Sequence, residues 1–202
     1  MMNIIKSFFA KKADINQPVE TIEVIEPSQT KTLFISAGHS DKDPGAVGNG
    51  YTEADIVLEF RNLLGDELKK LGICFTMDGE KNTNLPLSEA INLAKISDIA
   101  IEFHCNAFHL PTATGCETLS DDHFDLCDKI NTLISECLGI NNRGSKGQSS
   151  GQHSRLGFIS KGKGIIVELF FISNPDDVIK YQNNKQELAK RMAIMLKDEV
   201  MG

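Results

Sequence analysis

Two histidines and two glutamates stand where a folded chain can aim them. His39 follows the short apolar run TLFISAG, and His104 follows IAIEF. Glu168 sits inside IIVELFF, and Glu53 opens the periodic segment EADIVLEFRNLL. Two imidazoles and a carboxylate suit Zn²⁺, which in catalytic sites takes three protein ligands and leaves a fourth position open. A further carboxylate beside such a centre can take a proton from water. A glutamate within an apolar strand is costly to bury without a partner or a task. Spacing alone leaves open whether the four residues meet.

The elements that would bring them together are legible in outline. TLFIS (32–36) is short, apolar and followed by Gly38, as a buried strand is. From Glu53, the positions Ile56, Phe60, Leu63, Leu64 and Leu71 lay one apolar stripe along a helix that Gly72 ends. ICFTM reads as a second strand, Pro86 starts a helix to about Lys95, and IAIEF (99–103) is a third strand that delivers His104. GCETLS reads as a strand and DDHFDLCDKINTLISECLGI as a helix opened by acids, which suit its dipole. RLGFI and GIIVELFF read as two more strands; NPDDVIKY and the run 185–200 read as two closing helices. Alternating strands and helices predict a single α/β domain with a mostly parallel sheet. Function in such sheets gathers at the carboxyl ends of the strands.

The segments GHSDKDPGAVGNGYTEAD, FHCNAF and IIVELFFISNPDD, in that order, resemble the zinc-dependent N-acetylmuramoyl-L-alanine amidases. That family shows a GHGG-like turn with DPGA, an acidic helix start, a strand ending in HANA, and a late strand reading VEVGFISN. The resemblance implies a twisted sheet flanked by helices on both faces, and one Zn²⁺ per chain with His39, Glu53 and His104 as ligands. It makes Glu168 the catalytic glutamate, and the substrate the amide between N-acetylmuramic acid and L-alanine in peptidoglycan. Asn106 matches the family's HANA asparagine and would hold its loop by side-chain hydrogen bonds. Asp43, Gly45 and Gly48 would shape the loop that returns Glu53 to His39.

The chain departs from the family at several places. Ala90 stands where an arginine is common, and Ser40 and Asp41 replace two glycines of the turn. Ser36 stands where the family has an aspartate, and Glu102 where it has a serine. Alternation puts Glu102 on the face of His104. Glu102 is therefore expected to orient a metal-binding histidine, with Ser36 opposite; the alternative is a pairing with a Lys or Arg elsewhere, or solvent at a sheet edge. His109 and His153 are candidate substrate contacts, or else exposed loop histidines.

The 202 residues suffice for one domain, with residues 1–30 an extension or linker and 31–202 the catalytic unit. A net charge of −7 argues against nucleic acid. Five cysteines, odd in number and without a CxxC pair, predict reduced thiols from a cytoplasm. No run is long and apolar enough to span a membrane, and no signal peptide is evident. Residues 1–12 carry a short amphipathic pattern that either packs, frays, or touches membrane or envelope. The expected protein is a monomeric, phage-type lysin made in the cytoplasm that acts on the cell wall after release. Its rivals are a bacterial autolysin, another zinc peptidase of wall peptides, and a non-catalytic wall-binding module.

Overall fold

The computed structural model describes residues 31–39, 42–79, 83–150 and 156–202. The amphipathic start, the proposed linker, Ser40, Asp41 and His153 lie outside the described residues.

The first strand, β1 (Leu33–Ala37), is buried along its whole length and leads into a small hairpin of β2 (Val47–Gly48) and β3 (Tyr51–Thr52). Helix α1 (Glu53–Lys70) follows at once, capped by the Thr52 hydroxyl, which accepts from the Asp55 amide at 3.2 Å. Ile56, Val57, Phe60, Leu64 and Leu68 form its buried stripe. Next come β4 (Thr76–Met77), α2 (Leu87–Ala94), β5 (Ile99–Asn106), β6 (Cys116–Leu119) and α3 (Phe124–Leu138). The chain ends with β7 (Asn142–Lys146), α4 (Gly157–Ser160), β8 (Ile165–Phe171) and α5 (Pro175–Met201).

Six strands form one sheet in the order β4-β1-β5-β8-β6-β7. All neighbouring pairs are parallel except β6 with β8. Strand alternation sorts side chains between two apolar layers. Leu33, Ile35, Ile101, Phe103 and Val167 pack with α1, α3 and α5, whereas Phe34, Ala100 and Ile166 pack with α2 and α4. The chain is a single α/β domain with a mostly parallel sheet and helices on both faces. Ser36, Glu102, His104 and Glu168 alternate with the first layer's residues, so they face the side of α2 and α4.

Three readings of elements are corrected. RLGFI is not a strand: Gly157–Ser160 is a helical turn, in which the Ser160 amide donates to the Leu156 carbonyl at 2.8 Å. Short apolar runs do not distinguish strand from buried helix, and here Phe158 and Ile159 bury onto α2 and the sheet. The polar stretch before it contains a true strand, β7. The two closing helices are one, because buried Tyr181 and Leu188 hold the intervening polar residues in register. No helix among the described residues is long and apolar enough to cross a membrane.

Candidate metal centre and active site

Strand β1 ends at Ala37, and the chain turns so sharply that His39 takes a positive φ of 65°, a strained conformation for a histidine. The Asn84 side chain fixes this turn by donating to the carbonyls of Ala37 and His39. Gly38 is required by proximity: a Cβ there would lie 2.3 Å from Cε1 of His104. The loop then passes Asp43 and the hairpin and delivers Glu53 in the first turn of α1.

Glu53 is the hub. Its Oε1 lies 3.1 Å from His39 Nε2 and 3.0 Å from His104 Nδ1. The amides of Cys105 and Ala46 donate to its two oxygens at 3.0 and 2.9 Å. Burial pushes its carboxyl up, but the hydrogen bonds from His104 and His39 prevail and hold it well below the usual range. Ligand atoms of His39, Glu53 and His104 all lie within 4.8 Å of one another.

The outer ring nitrogens are held as well. His39 Nδ1 meets Asp43 Oδ2 at 3.1 Å, and His104 Nε2 meets Glu102 Oε1 at 3.1 Å. Metal-binding imidazoles characteristically give their second N–H to a carboxylate, which fixes ring and tautomer. Glu102 lies beside Ser36 in the β1–β5 register. The Ser36 hydroxyl is 2.8 Å from Asp78 and 3.3 Å from Glu102, and Asp78 pairs with the buried Arg61 at 3.0 Å. Burial pushes Asp78 up to about 6 against the pull of Ser36 and Arg61.

Glu168 is the neighbour of His104 in the β5–β8 register and of Glu117 across β6. Burial pushes its carboxyl up to about 7, against the attraction of His104. Its Oε2 is shielded from solvent and has no hydrogen-bond partner among the described residues. A cavity of about 440 Å³ joins His39, Glu53 and His104 to Glu168. Four carboxylates, Asp43, Glu53, Glu102 and Glu168, thus surround two imidazoles whose inner nitrogens converge on one point. That donor set fits Zn²⁺, and Glu168 lines the same cavity as the three candidate ligands.

Other sequence candidates fall out differently. Asn106 donates to Glu117 at 3.0 Å and accepts from the Ala107 amide at 2.9 Å, so it ties its loop to β6. His109 is exposed, with its ring 4.1 Å from that of Phe108, and does not line the cleft. Sequence reasoning missed Asp78 with Arg61, and Glu117 with Arg143 and Lys146. Only an arginine within the apolar stripe of α1 hinted at the first pair.

A family model described as N-acetylmuramoyl-L-alanine amidase matches residues 33–198. The chain belongs to that family. Its members hydrolyse the amide that joins N-acetylmuramic acid to L-alanine in peptidoglycan. The N-acetylmuramoyl-L-alanine amidase LytC of Bacillus subtilis is 28% identical over 162 residues, covering 76% of this chain but only 32% of LytC. Among solved structures, a Neisseria meningitidis protein assigned as an N-acetylmuramoyl-L-alanine amidase is 36% identical with a TM-score of 0.74, covering 83% of this chain and 95% of that one. The amidase AmiC2 of Nostoc punctiforme shares the fold at 22% identity and a TM-score of 0.72, over 85% of this chain and 99% of AmiC2.

Proposed function

We propose that this domain cleaves the N-acetylmuramoyl–L-alanine amide of peptidoglycan with one Zn²⁺ held by His39, Glu53 and His104 and with Glu168 as the acid–base group. The observation that supports this reading is one cavity lined by His39, Glu53, His104 and Glu168, the first three with ligand atoms within 4.8 Å of one another. Zinc bound there supplies Lewis acidity, which acidifies water and polarises the scissile carbonyl. Glu168 takes the proton from the attacking water and returns it to the departing amine; burial pushes its carboxyl to about 7, where a group can do both near neutral pH. Asp43 and Glu102 hold the two imidazoles in the orientation that presents His39 Nε2 and His104 Nδ1 inward.

The lysin role, acting on the wall after release, rests on the family's peptidoglycan substrate and on the cleft at the candidate ligands, which Leu119 and Leu156 also line. Digestion of purified peptidoglycan tests the reading. New L-alanine amino termini paired with intact muramoyl groups, abolished by a chelator and restored by zinc, are expected. Cuts within the peptide stem, or cleavage indifferent to chelator, would reject it.

A further inference from the structure

Beyond Glu168, on the side away from the metal ligands, the sheet carries a second charged group. Glu117 Oε2 accepts from Arg143 Nε at 2.7 Å and from Lys146 Nζ at 2.6 Å. These three residues share a face only because the β6–β7 ladder is irregular. Cys116 pairs with Asn142 but Thr118 pairs with Ser145, so two residues of β7 oppose one of β6. Gly144, at φ 82°, absorbs the extra residue. Such a bulge re-aims side chains. Here it turns both Arg143 and Lys146 toward Glu117.

Arg143 is held in place but not used up. Its guanidinium carbon lies 4.9 Å from the centre of the Phe171 ring, and its Nε is fixed on Glu117. Among the described residues nothing accepts from its Nη1 or Nη2. Burial pushes Glu117 up, but Lys146 and Arg143 hold it below the usual range, so it balances one of the two cations. Both cations border a cavity of about 360 Å³ that Glu117 and Glu168 also line. Glu168, Asn106, Ala107 and Leu119 line both this cavity and the one at the metal ligands, so a ligand can occupy both at once.

We propose that Arg143, supported by Lys146, forms a carboxylate-binding subsite that seats an acidic residue of the stem peptide while the scissile amide lies against Glu168. The subsite rests on the amidase reading above. The planar fork of the guanidinium matches a carboxylate, and its stacking on Phe171 and bond to Glu117 pre-organise it at little entropic cost.

The test uses the zinc-loaded full chain and two muramoyl-peptides of one sequence, with the acidic residue's carboxylate either free or amidated. The wild type is expected to prefer the free acid in kcat/KM by roughly 10- to 100-fold. Arg143→Ala should abolish this preference by slowing only the free-acid substrate, and Arg143→Lys should retain part of it. Thermal unfolding confirms that each variant is folded. Equal rates on both substrates in the wild type, or an equal loss on both in Arg143→Ala, would overturn the subsite and leave the amidase reading standing. If the wild type cleaves neither substrate, the amidase reading fails. Calorimetric binding of the two free stem peptides then decides the subsite: an Arg143-dependent preference for the acid supports it, and identical binding overturns it.

Discussion

Each imidazole of the candidate metal centre is held at both nitrogens, and the two outer partners differ in origin. Asp43 comes from the loop directly after His39, whereas Glu102 lies two residues before His104 on the same strand face. Zinc affinity is therefore expected to depend on Glu102. Glu102→Gln should weaken it by roughly 10-fold or more, because an amide cannot fix an N–H donor with the strength of a carboxylate. Chelator competition measures this directly, and wild-type affinity in the variant would exclude the orienting role. Gly38→Ala is the steric counterpart. Its methyl would strike the His104 ring at 2.3 Å, so zinc binding should fall while secondary structure by circular dichroism persists. That His39, Glu53 and His104 come together was suggested by the family-like motifs around them, since strand ends and a helix start alone left the meeting open. The partnership of Asp78 and Arg61 was not, since it joins α1 to the end of β4 and leaves no local pattern.

At the scale of elements, the least legible piece is β7. Its residues NRGSK are half-exposed and polar on an edge strand, so no apolar alternation announces them, and the bulge at Gly144 breaks what alternation there is. The same polarity gives the edge its protection against pairing with other chains. Helix α4 misled for the opposite reason: its few apolar residues look like any buried run. The start of α5 is better marked. Asn174 caps it by accepting from the amides of Asp176 and Asp177, with Pro175 in the first turn. Asp177 then turns back into the sheet, accepting from Thr114 Oγ1 at 2.6 Å and from the amides of Gly115 and Phe171 at 3.1 and 3.3 Å. It ties α5 to the entry of β6 and the end of β8. Asp177→Ala leaves those donors buried without partners and should cost about 3 kcal/mol in chemical denaturation. A change below about 0.5 kcal/mol, the usual surface value, would show that the tie is dispensable.

The whole molecule is asymmetric about its sheet. Among the described residues, α1, α3 and α5 pack on one face and α2 and the short α4 on the other, where the carboxyl ends of β1, β5 and β8 carry the candidate site. That layout follows from the alternation of strands and helices, so the fold class could be read from the residues. The bulge-dependent basic cluster could not, because it depends on register. The described residues begin just before β1 at Lys31, whose amide donates to the Val200 carbonyl at 3.0 Å. Deleting residues 1–28 is accordingly expected to leave melting temperature and zinc content unchanged; a loss of either would give the extension a structural role. The central claim is that metal and Glu168 divide the chemistry between them. The most direct measurement is Glu168→Gln, with zinc content and peptidoglycan turnover determined on the same sample. The account predicts one zinc per chain with turnover reduced roughly 10²- to 10⁴-fold or more. A fully metallated variant that still released L-alanine termini at the wild-type rate would contradict it.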